Sequence, residues 1–195
     1  MSCFILCAAL AFSSQAFADN LDEASPLPTS RAKVRETRQP THSILLRLFE
    51  QDQADRQARV PAAALAQRDT ERRVAAKKIV EKGNLRTADD YYHAAVLFQH
   101  GKAPADFAQA RALALKALVI DPDHSLARWI AAAAEDRRLM AIGKPQLYGT
   151  QFKSTDGHWE LYDVDPRISD SERAKWNVPP LAEAKRRAEA MNDQN

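Results

Sequence analysis

The chain is poor in cysteine, and the two it has, Cys3 and Cys7, both lie in its first eighteen residues. That stretch carries no charged side chain, runs apolar from Cys3 to Phe12 and closes on Ala16-Phe17-Ala18 ahead of Asp19. The pattern is that of a secretory signal with a small-x-small cleavage site. Cleavage after Ala18 leaves a chain without a thiol, which excludes disulfides, a thiolate nucleophile and zinc–cysteine sites. Long apolar runs are missing too. The first run is shorter than the roughly 20 residues that span a bilayer, and no comparable run follows. The expected location is the periplasm or the outside medium, with no stable membrane span once the signal 1–18 is removed. So little apolar sequence precedes Cys7 that lipid attachment there is not expected.

An excess of one charge is also lacking: 28 Lys and Arg stand against 26 Asp and Glu. Basic residues cluster at Arg31 to Arg38, Arg72 to Lys82 and Lys185 to Arg187, but acids interleave with them. The clusters therefore read as solvated helix faces and a leader arm, and nucleic acid is not an expected partner.

What remains has the length of one domain with a real core. Residues 19–40 hold Pro26, Pro28 and Pro40, many charges and few large apolar side chains, and read as a flexible leader. From 41 to 195 the pattern is that of a single helical domain. Ile44, Leu45, Leu48 and Phe49 form one stripe of a helix that ends before Pro61. Ala62 to Glu81 is rich in helix formers and stops at Gly83-Asn84. Thr87 reads as the cap of a third helix, with Asp89 and Asp90 in its first turn and Gly101 at its end. A fourth helix, after Pro104, turns Phe107, Ala110, Ala114, Ala117 and Leu118 inward and breaks at Asp121-Pro122. A fifth spans His124 to about Ile142.

The fold class expected is mainly α, built of antiparallel helical hairpins. Ala110 to Leu118, then Asp121-Pro122-Asp123-His124 and Ala127, resemble a tetratricopeptide-type junction. No second copy appears at the 34-residue period such arrays need, so a local TPR-like or Sel1-like arrangement is expected rather than a solenoid. After Gly143, Gln146 to Phe152 and Trp159 to Val164 alternate loosely around Asp156-Gly157, as an ordered loop or a small C-terminal β-hairpin. Ser169 or Asp170 caps a short helix through Trp176, with Ser169 and Glu172 spaced as a capping box, and a last polar helix runs from Leu181 to about Met191.

Chemistry concentrates between Glu135 and Phe152. Asp136 and Arg137 interrupt the apolar stripe of the fifth helix, so they must be paired or face a cleft. The loop Gly143-Lys144-Pro145-Gln146-Leu147-Tyr148-Gly149-Thr150-Gln151 is dense in directional donors and acceptors. It has no phosphate-loop ending. Either specific polar recognition or a tightly bonded structural loop explains it. His93 and His100 stand seven residues apart on one helix, too far to share an ion, so no metal site is expected. His100 reads as a helix-end cap or a partner for the later loop. No nucleophile elbow marks a hydrolase.

Gln99-His100, Asp136-Arg137 and the Gly143 to Gln151 loop together resemble a bacterial exported family of unknown function. Its members share a Gln-His pair, an Asp-Arg pair and a Gly-x-Pro-Gln-x-Tyr-Gly-Thr-Gln loop. The resemblance covers 87–181. It implies that His100, Asp136, Arg137, Gln146, Tyr148 and Gln151 form one candidate binding cluster, with Arg173 on the family's closing helix, and it brings no activity. The leading expectation is an exported binding module that needs no cofactor and recognises a protein, a peptide or a small polar ligand. One alternative is an envelope hydrolase with His100 as general base and Arg137 as electrostatic stabiliser. The other is a structural or interaction protein.

Overall fold

The computed structural model describes residues 41–193, and the expected signal 1–18 and leader 19–40 lie outside the described residues. The described chain runs α1 (Thr41–Gln57), α2 (Ala62–Glu81), α3 (Ala88–Gln99), α4 (Pro104–Ile120), α5 (Ser125–Ala141), β1 (Phe152–Thr155), β2 (His158–Leu161), α6 (Asp170–Lys175) and α7 (Leu181–Asn192). It is mainly helical with a small antiparallel hairpin, as the sequence pattern indicates. No described helix is long and apolar enough to cross a membrane.

The helix starts follow from local chemistry. Thr87 Oγ1 accepts from the Asp90 amide, and Asp90 Oδ2 accepts from the Thr87 amide, both at 3.1 Å, which closes a capping box on α3. Pro104 opens α4, where Asp106 Oδ2 accepts from the Lys102 and Ala103 amides. His124 Nδ1 accepts from the Ala127 amide at the head of α5, and Ser169 Oγ accepts from the Glu172 amide at the head of α6.

Ion pairs record how the helices run. Arg56 reaches Asp69 while Arg72 reaches Asp55, so α2 returns along α1. Arg111 meets Glu135 and Arg137 lies over Phe107, so α5 returns along α4. His42 pairs with Asp90 and Asp52 with His100, which sets α1 parallel to α3. Small side chains let the helices approach closely. Ala94, Ala95, Ala110, Ala114 and Ala134 are fully buried and share one core with Leu45, Leu97, Phe98, Leu113 and Ile130.

The C-terminal part is fastened to α5. Asp156 and Gly157, both at positive φ, form a two-residue turn that pairs Phe152 with Leu161 and Thr155 with His158. The hairpin is shorter than the alternation suggests. Of Gln146 to Phe152, only Phe152 enters the strand, and Gln146 makes a single bridge to Val164. The reason is that α5 takes the amides a strand would need. Helix α7 covers the hairpin through Ala184 and Ala188 against Phe152, and Asn192 bonds both backbone groups of Trp159.

Candidate functional site

Asp136 projects from α5 with no exposed surface. Its Oδ1 accepts from the Leu147 amide at 2.7 Å and the Tyr148 amide at 2.9 Å. Its Oδ2 accepts from the Thr150 amide at 3.0 Å and the Thr150 hydroxyl at 2.8 Å. Thr150 Oγ1 in turn accepts from Gln151 Nε2. Burial pushes the Asp136 carboxyl above the ordinary carboxylate value, against the pull of these donors. Because all four groups donate, the loop is built around the ionised form.

Gln146 completes the fastening. Its Oε1 accepts from the Gln151 amide at 3.0 Å, and its Nε2 donates to the carbonyls of Gln151 and Tyr162. From below, buried Arg173 donates to the carbonyls of Tyr148 and Ile168 and to Asp170. Gly149, at φ 82°, lets the chain double back inside this frame. The Tyr148 ring packs 5.8 Å from Trp176, and burial raises its phenol pKa. Asp136, Gln146, Tyr148 and Gln151 thus come together, with their polar atoms turned largely on one another as a clasp.

Arg137 and His100 are engaged elsewhere. The Arg137 guanidinium lies 4.8 Å over the Phe107 ring and reaches the Gly101 carbonyl at 3.5 Å, so it braces the turn between α3 and α4. His100 caps α3 with its side chain 9% exposed, and its Nδ1 lies 2.9 Å from Asp52 Oδ1 on α1. The six candidate residues therefore divide between the clasp, the α3–α4 turn and a buried charge network on the first two helices.

That network is built from residues the pattern reading assigns to solvated faces. Asp52 meets Arg56 at 3.1 Å and Arg72 at 3.7 Å. Arg56 also holds Asp69, and Arg72 bonds both Asp55 at 2.6 Å and Asp69 at 2.7 Å. Arg68 closes on Asp55 from the rim. The Arg72 side chain is only 6% exposed, a correction to the solvated reading of the Arg72 to Lys82 cluster. Burial acts to raise the Asp52 pKa. Hydrogen bonding and charge from His100, with Arg56 and Arg72, outweigh it and hold Asp52 below the usual carboxylate value.

Asp52, Asp69 and His100 each offer one ligand atom, all within 4.8 Å of one another. A guanidinium already holds the cation position, since Arg56 and Arg72 touch both carboxylates. A divalent ion would have to displace the buried Arg72 guanidinium and the partly exposed Arg56, which already supply the counter-charge at this trio. Beside the network an open cleft of about 420 Å³ lies between α1 and α2, lined by Leu48, Gln51, Asp55, Arg68, Glu71 and Arg72. Three of its lining residues, Asp55, Arg68 and Arg72, belong to the charge network, so the ion pairs shape its walls.

Sequence spacing carries a trace of this. Asp52 and Arg56 stand at i, i+4, and Asp69 and Arg72 at i, i+3. The same spacings occur on solvated helix faces, so they do not announce burial. Comparison of the chain with protein-family models, curated proteins and solved structures found no match.

Proposed function

We propose that the chain is an exported helical binding module that takes a peptide or small polar ligand in the cleft between α1 and α2. The observation that carries this reading is a cleft whose walls hold both signs of charge in fixed positions. Asp55 and Arg72 are set by buried ion pairs, while Arg68 and Glu71 are exposed at the cleft and Leu48 adds apolar surface. Preset charged walls lower the ordering cost of recognition. The loop 146–151 then serves as scaffold, because its polar groups are bonded to Asp136, Gln146 and Arg173. The hydrolase arrangement has less support, since His100 turns to Asp52 and Arg137 to Gly101.

The test is a screen of short peptides against isotope-labelled protein, read by NMR shift mapping. Hits should perturb Gln51, Arg68 and Glu71, and the exposed-residue pair Arg68→Glu with Glu71→Lys should abolish them while leaving the fold intact. Hits that survive the double variant, or that map to 146–151, would show the cleft assignment to be wrong.

A further inference from the structure

His100 is the one group in the charge network whose ordinary titration falls near neutral pH. The network's described members are three carboxylates, Asp52, Asp55 and Asp69, and three guanidinium groups, Arg56, Arg68 and Arg72. With His100 neutral these formal charges cancel. With His100 protonated one positive charge is left over. We infer that His100 sets the charge of the α1–α2 cleft, so that proton uptake turns the cleft toward ligands bearing a carboxylate. This inference rests on the proposal that the cleft is the binding site.

The path from the imidazole to the cleft is short. Asp52 lies between His100 and Arg72, and Arg72 lines the cleft together with Asp55. While His100 is neutral, Asp52 draws its compensating charge from Arg56 and Arg72. An imidazolium at 2.9 Å supplies that charge directly. More of the Arg72 charge is then available to a ligand carboxylate in the cleft, and less is cancelled inside the protein.

Among the described residues, charged groups approach the His100 region from four helices. From α1 come Asp52 and Arg56, and from α2 come Asp69 and Arg72. Arg73 of α2 is paired with Asp106 of α4 at 3.4 Å. From α5, Arg137 reaches the carbonyl of Gly101, next in the chain to His100. Of these groups, Asp52 is the one in direct contact with the ring and Arg72 is the one that also reaches the cleft.

The experiment titrates the labelled mature chain with triglutamate and with trilysine, at about pH 5.5 and about pH 8, on either side of the ordinary histidine value. Triglutamate should bind on the order of tenfold tighter at the lower pH, with shifts at Gln51, Arg68 and Glu71. Trilysine should show no such gain. In His100→Gln, which keeps a donor for Asp52 but cannot take up the proton, triglutamate should still bind and its pH dependence should vanish. His42→Gln should leave that dependence unchanged. In the wild type, the His100 ring signals should titrate in the same window as the affinity. Binding in the cleft with an unchanged pH dependence in His100→Gln would overturn the coupling alone. Failure of both peptides to perturb the cleft at either pH would overturn the coupling and count against the cleft as the site.

Discussion

Replacing Asp136 by alanine tests the clasp. The substitution leaves the amides of Leu147, Tyr148 and Thr150 and the Thr150 hydroxyl without their acceptor. Tyr148 and Thr150 are buried, so water cannot substitute without opening the loop. An orphaned buried donor costs about 1–3 kcal/mol. The full sum is not reached, because Leu147 is half-buried and because removing the carboxylate also removes the desolvation that raises its pKa. The loss works out at about 3–5 kcal/mol, a large part of the roughly 5–15 kcal/mol that holds a domain folded. For a chain of this size it corresponds to a fall in Tm of about 6–20 °C. Asp136→Asn should lose about half as much. Its oxygen can still serve Leu147 and Tyr148, while its NH2 group meets the Thr150 amide head on. Urea denaturation followed by circular dichroism measures both variants, and hydrogen exchange at Tyr148 and Thr150 locates the damage. An alanine variant within about 1 kcal/mol of wild type would refute the clasp, since four bonds to one buried carboxylate cannot be that dispensable.

Three further outcomes are expected. Gln99 is fully buried with neither amide atom hydrogen-bonded among the described residues, so Gln99→Leu should stabilise the fold by about 1 kcal/mol in urea denaturation; a loss of stability would show that the amide has partners in solution. Burial lowers the His93 pKa from 6.5, where its ring packs 4.5 Å from Phe49. The unfolded chain takes up that proton first as pH falls, so its contribution is intact above about pH 6.5 and declines below it. His93→Phe should therefore gain stability relative to wild type between about pH 7 and about pH 5, and parallel stability curves would contradict this. Asp52, Asp55 and Asp90 are held below the usual value of 3.8, so their contribution is present above that pH and is lost as pH falls through their lower folded values. Acid unfolding monitored by circular dichroism should accordingly set in below about pH 4, and an onset near neutral pH would rule out these ion pairs as the acid-sensitive element.

The helices were readable because their signals are local. Thr87 with Asp90, Pro104 and Ser169 with Glu172 each specify a helix start by chemistry between near neighbours in sequence. The Asp156-Gly157 turn likewise marked the hairpin. The segment from Gln146 to Gln151 was recognisable as unusual but not as a clasp, since Asp136, eleven residues before Leu147, takes the amides that would otherwise form a strand. The burial of Arg72 is not legible in the sequence for a related reason. Its burial depends on Asp55 arriving from another helix, seventeen residues away, and helix-face periodicity contains no information about what faces it. His100 looked like a helix-end cap, which it is, yet its partner Asp52 lies forty-eight residues earlier in the chain.

The most direct measurement is the NMR shift map of the labelled chain with a bound peptide. Perturbations should centre on Gln51, Arg68 and Glu71, with Leu147 to Gln151 unmoved. Perturbations centred on Leu147 to Gln151, with the α1–α2 cleft silent, would contradict the cleft assignment and return the binding site to the polar loop.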